Sequence, residues 1–137
     1  MRAVLDANVL LAGVFTRGVC ERLLDICWEN APTIVIVCSE HILGEFADNA
    51  ETKFGVPAEE VAESVDKLRY RVEIVEPSEV ALDACRDADD LPVLGTAAAG
   101  NANYLVTGDR DLLVLKSFHG IPIVSPREFY DLVGVSG

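Results

Sequence analysis

Apolar and polar positions along this chain change period several times, and each change marks a new element. Residues 2–5 (RAVL) form a short apolar run of the kind a buried strand needs. Beyond it the spacing turns helical. Val19, Leu23, Ile26 and Cys27 fall at i, i+4, i+7 and i+8, and Pro32 closes the stretch. Residues 33–37 (TIVIV) are β-branched throughout, as in a strand covered on both faces. Ser39 is placed as the N-cap of a helix reaching to about Lys53, with Ile42, Leu43, Phe46, Ala47 and Ala50 as its core stripe. Gly55-Val56-Pro57 is a break. A charged amphipathic helix is predicted over 58–69 and a short strand over 72–75, with Pro77 breaking the chain again. Residues 86–101 open on acids, carry Pro92 in the first turn and end at Gly100-Asn101, the punctuation of a helix. Strands follow at 103–107 and 121–125, and Ser125-Pro126 opens a final short helix.

This alternation of strands and helices predicts an α/β fold with three layers, a central parallel sheet covered by helices on both faces. No repeat, low-complexity tract or long linker interrupts it, so 1–137 is expected to form one domain. Parallel sheets of this kind place ligand sites outside the carboxyl ends of their strands, which says where chemistry should be sought.

Composition narrows the choice. Half of the 137 residues are apolar, enough to build a core without disulfides or a structural metal. The net charge of −12 excludes a broadly basic nucleic-acid coat protein. It leaves room for a nucleic-acid enzyme, because clustered carboxylates can hold a metal. No run approaches the roughly 20 apolar residues of a membrane span. The opening MRAVLDANVLLAGVF carries Asp6 inside its apolar region and no clean cleavage site after it. It is therefore expected to be a strand running into a helix rather than an export signal, and the protein is expected in the cytoplasm. Cys20, Cys27, Cys38 and Cys85 form no C-x-x-C pair and only two His are present, which argues against zinc and for reduced, buried thiols.

The acids fall in telling places. Asp6 follows the first strand directly, and Asp109 and Asp111 follow the 103–107 strand after Gly108. Both groups belong at one rim of the predicted sheet. Asp90 stands at a helix start, where exposed N–H groups favour negative charge, and Glu45 borders an apolar helical stripe. Each has a simpler role open to it. Asp89 or Asp90 would serve as an N-cap, Asp109 and Asp111 as turn formers, and Glu45 as a solvated side chain. Asp6 is the hardest to dismiss, since an unpaired charge between VL and VLLAGVF is badly placed. Acids gathered at one rim repel one another, and a hard dication removes that penalty. With no His or Cys among them, the set points to Mg²⁺ or Mn²⁺ and to phosphoryl transfer or phosphodiester hydrolysis.

Asp6-Ala7-Asn8-Val9-Leu10, Glu45, Asp87-Ala88-Asp89-Asp90 and the segment from Leu105 through Thr107-Gly108-Asp109-Arg110-Asp111 to Leu113 occur in that order. Together they resemble the PIN domain family, in particular its small stand-alone VapC-like toxin components. The resemblance covers essentially the whole chain. It implies a sheet of strand order 3-2-1-4-5 and an endoribonuclease using one or two Mg²⁺ or Mn²⁺ ions. On that resemblance Asp6, Glu45, Asp90 and Asp109 are the catalytic acids and metal ligands, and Asp111 is an auxiliary ligand. Asn8 and Thr107 are expected to orient these carboxylates through hydrogen bonds. Ala7 departs from the Thr or Ser of many members, and the crowding at 87–90 leaves Asp89 and Asp90 to be separated by helix register.

The resemblance also implies partners: an RNA substrate, a small antitoxin protein with basic side chains directed at the acids, and a second copy of the chain. Arg17, Arg110, Lys116 and Arg127 are candidate phosphate contacts, each equally suited to a solvated surface. The 58–69 helix, with Val61 and Val65, offers either a contact surface or ordinary core packing. Two rivals stand beside the ribonuclease. One is a catalytically weak PIN-fold module that binds RNA or protein. The other is a Mg-dependent phosphatase of the haloacid dehalogenase type, whose D-x-D start is broken here by Asn8.

Overall fold

A computed structural model describes residues 1–134. The core strands are β1 (Arg2–Leu5), β2 (Val35–Cys38), β4 (Tyr104–Val106) and β6 (Ile121–Val124), joined by the short edge strands β3 (Glu73–Ile74) and β5 (Ser117–Phe118). The sheet order is β3-β2-β1-β4-β6-β5. All neighbours pair in parallel except β5 with β6. Counting only the parallel strands, this is the 3-2-1-4-5 order. Ala3, Val4 and Leu5 have no solvent exposure. Successive side chains of a strand point to opposite faces, so both faces of the central strand are covered, the three-layer arrangement.

The helices are α1 (Ala7–Phe15), α2 (Val19–Glu29), α3 (Glu40–Phe54), α4 (Ala58–Arg71), α5 (Leu91–Ala99), α6 (Arg110–Leu113) and α7 (Pro126–Gly134). The N-terminal helical stretch is two helices rather than one. The Thr16 hydroxyl turns back to the Ala12 carbonyl, and Gly18 takes a φ of 147° that other residues rarely adopt. Apolar periodicity runs through that corner because both helices bury the same kind of stripe. The β5 strand was also absent from the hydrophobic pattern. It is two residues long and exists through the turn at His119 and Gly120, where φ is 50° and 78°.

Ser39 caps α3 as expected, its Oγ accepting the Ile42 N–H at 3.4 Å. In α4, Val61 and Leu68 are buried and Val65 packs against the core, so its apolar face serves the interior. All four cysteines are free thiols. Among the described residues no helix is long and apolar enough to cross a membrane.

Candidate active site

Parallel pairing assembles the site. β1 and β4 run side by side, so their carboxyl ends deliver Asp6 and Thr107 as neighbours, and the Asp6 N–H donates to the Val106 carbonyl at 3.0 Å. Asp6 is buried, with 7% of its surface exposed. One carboxyl oxygen accepts the Val9 N–H at 2.9 Å and so caps α1; the other accepts the Thr107 hydroxyl. Thr107 is fully buried, and its oxygen accepts the Asp109 N–H at 3.0 Å. A single hydroxyl therefore ties the acid after β1 to the turn that carries the acid after β4.

Asp109 in turn accepts the Asp111 N–H at 2.9 Å as the N-cap of α6. It is a turn former, one of the simpler roles open to it, and its carboxyl also meets that of Asp90. Asp90 arrives from another direction, at the end of a single 3-10 turn over Ala88–Asp90 that leads into α5. Asp87 caps that turn by accepting the Asp89 N–H at 2.9 Å. Asp90 makes no capping bond. Its carboxyl lies against that of Asp109, and its Oδ2 is buried without a hydrogen-bond partner. Register thus turns Asp90 toward Asp109 and leaves Asp89 exposed. The base of α5 is held by Thr96, whose hydroxyl lies 2.8 Å from Ser39 Oγ and 2.7 Å from the Pro92 carbonyl.

Glu45 sits half-buried on α3, one turn beyond His41. The His41 Nε2 lies 3.1 Å from Glu45 Oε1 and 3.2 Å from the Asp89 carbonyl oxygen. The imidazole bridges the helix carrying Glu45 and the turn carrying Asp90. Sequence reasoning passed over His41; its i, i+4 spacing to Glu45 was the available signal. It also passed over the Ser39–Thr96 contact, for which no local pattern exists.

The electrostatics follow from this crowding. Burial pushes the Asp6 carboxyl above the usual aspartate range. The Thr107 hydroxyl and the Val9 N–H oppose that push, and the charge on Asp109 adds to it. Glu45 is also raised, first by burial; His41 opposes, while Asp6, Asp89 and Asp87 contribute repulsion. Asp90 is pushed up to about 7 by burial and by its contact with Asp109, with further repulsion from Asp87 and Glu45. All three directions say that negative charge in this rim lacks compensation.

The remaining candidates are placed less centrally. The Asp111 carboxylate lines an adjoining groove. Asn8 is exposed and its Oδ1 accepts from Asn49 Nδ2 at 3.3 Å; its backbone N–H, not its side chain, faces Asp6. Arg17 and Lys116 are exposed, and Arg127 reaches Asp131 at 3.6 Å and the Tyr130 ring at 5.6 Å. Volume does not mark the site. A groove of about 620 Å³ lined by Trp28, Lys67, Tyr70 and Arg71 contains none of these acids.

Among the described residues no three His, Cys, Asp or Glu side chains stand close enough together to enclose an ion. The donor set nevertheless fits a hard dication. It is made of carboxylate oxygens, carries uncompensated charge, and includes the orphaned Asp90 Oδ2, a buried acceptor still lacking its partner.

Comparison with known proteins bears on the fold and the family. A search of curated protein sequences returns no match. Among solved structures, VapBC2 from Rickettsia felis bound to a DNA fragment from its promoter matches at 18% identity and a TM-score of 0.64, covering 91% of this chain and 98% of that one. VapBC-1 from nontypeable Haemophilus influenzae matches at 20% identity and 0.64, covering 93% and 99%. PAE2754 from Pyrobaculum aerophilum matches at 16% identity and 0.67, covering 98% and 99%. At these identities the likeness establishes the fold. The sequence itself matches the family model described as PIN domain over residues 2–111. Four-fifths of the chain lies within that match, and this protein belongs to the PIN domain family, a family of nucleases.

Proposed function

We propose that this protein is a divalent-metal-dependent endoribonuclease, a single domain over 1–137 that acts in the cytoplasm as the toxin of a toxin–antitoxin pair. The observation that carries the reading is the partnerless, buried Asp90 Oδ2 beside Asp109, at the rim where Thr107 also holds Asp6. Asp6, Glu45, Asp90 and Asp109 would hold one or two Mg²⁺ or Mn²⁺ ions, with Asp111 as an auxiliary ligand. When bound, such an ion supplies Lewis acidity for water activation and positive charge for the departing 3′ oxygen.

The chain's own residues prepare for this. Thr107 fixes the Asp6 carboxylate and the Asp109 backbone through one oxygen. His41 steadies Glu45 against the Asp90 turn. Asp90, raised to about 7, holds its proton more tightly than an ordinary aspartate, and a bound cation would favour its charged form. The likeness to VapBC structures supports an antitoxin as partner; a second copy of the chain is proposed beside it on the family resemblance alone. A basic antitoxin side chain would offset the same uncompensated charge that draws the cation.

The test is RNA cleavage with and without Mn²⁺, wild type against Asp6→Asn, with the fragment ends mapped. Cleavage is expected only with Mn²⁺ and wild type, leaving 5′-phosphate and 3′-hydroxyl ends. A folded Asp6→Asn protein that cuts at the wild-type rate overturns the assignment.

A further inference from the structure

We propose that the groove between the Asp83–Arg86 loop and α6 is the subsite for the single-stranded RNA segment beside the scissile phosphate, with Arg86 and Arg110 gripping its backbone. This rests on the ribonuclease reading above and assigns the path of the substrate next to the acids.

In a chain of net charge −12, an RNA strand approaching the acid rim meets repulsion unless local cations guide it. Five of the eleven basic side chains are engaged elsewhere. Arg2, Lys67, Arg69 and Arg127 are committed to Glu73, Glu63, Glu40 and Asp131, and Arg71 lies over the Trp28 ring. Arg86 and Arg110 are both exposed, and among the described residues neither has a carboxylate oxygen within 4.0 Å. They line one groove of about 560 Å³, together with Asp83, Cys85, Asp111 and Val114.

That groove shares its wall with the candidate active site. Arg110 follows Asp109 directly, and Asp111 belongs to both. The Cys85 thiol lies 3.2 Å from the Asp87 carbonyl and within electrostatic reach of Asp90 and Asp109. A guanidinium presents a planar fork of donors that matches phosphate oxygens, so two lining one groove suit a phosphodiester chain. Val114, 72% exposed on the same groove, offers the apolar surface against which a base or ribose rests. The size is that of a small-ligand site, room for a nucleotide rather than for a duplex.

The experiment measures binding, not turnover. Fluorescence anisotropy of a short, labelled single-stranded RNA is followed with the full chain in Ca²⁺ buffer across a salt series. Arg86→Gln and Arg110→Gln are each expected to weaken binding about tenfold. Each should also lower the steepness of log K against log salt by about 0.7, the value for one lost phosphate contact on a single strand. Arg86→Lys and Arg110→Lys keep the slope, because they keep the charge. Arg22→Gln, which lines no part of the groove, binds as wild type. If wild type binds RNA and the Gln variants match it in affinity and slope, the groove is not the subsite and is left to a protein partner. A wild type that binds no RNA overturns the ribonuclease reading and the groove with it.

Discussion

Asp90→Asn should stabilise the protein in the absence of divalent ions, by an amount that grows with pH. The folded state raises this carboxyl from an ordinary 3.8 to about 7, because burial and the neighbouring Asp109 disfavour its charge. Between those values the fold holds a proton that the unfolded chain has released. Raising the pH through that window therefore costs the fold stability, and the full cost is present above about 7. Each tenfold change in proton affinity is worth about 1.4 kcal/mol, which sets a ceiling of ~4 kcal/mol on the window. Asp90 as a residue is only partly buried, and solvent screening reduces the figure to ~2 kcal/mol. Asn keeps the shape and never ionises. For a domain of this size ~2 kcal/mol corresponds to roughly 6–8 °C in Tm. Thermal melts in EDTA should then show the variant level with wild type near pH 4 and above it by that margin at pH 8. Mn²⁺ should raise the wild-type Tm at pH 8 and move the variant much less. Equal melting points at pH 8, or a difference that does not change with pH, would refute the claim that uncompensated charge at Asp90 strains the metal-free site.

Thr107→Val removes the hydroxyl shared by Asp6 and Asp109 while keeping its volume. It should cost about 1–3 kcal/mol in denaturant titrations and weaken Mn²⁺ binding in calorimetry. His41→Ala unlinks Glu45 from the Asp89 carbonyl; Mn²⁺ affinity should fall several-fold, and His41→Gln should recover part of the loss, both read by calorimetry. Gly95→Ala places a Cβ 2.4 Å from the Ser78 carbonyl oxygen, where the Ser78 N–H already bonds the Gly95 carbonyl at 3.0 Å. Backbone must shift to admit it, at a cost of roughly 1–3 kcal/mol in the same titrations.

The sheet was legible in the chain because buried parallel strands need continuous apolar runs. RAVL, the 33–37 run and the 121–125 run each match a strand to within two residues. One helix entry was legible for a similar reason: Ser39 satisfies an orphan N–H group of the kind every helix start exposes, whereas the cap that Asp6 gives α1 emerged only in the structure. The break at Thr16–Gly18 and the two-residue β5 were not, since each is decided by a backbone turn that leaves no hydrophobic period.

For the acids the division is sharper. The chain by itself determined that Asp6 directly follows one strand and Asp109 lies just past another, because each comes after an apolar run of strand type. Only the tertiary structure decided that Thr107 joins them, that Asp90 rather than Asp89 turns inward, and that His41 fastens Glu45 to the neighbouring turn. Those choices depend on helix register and on which strands lie side by side. Such contacts span long stretches of chain, and no local pattern records them.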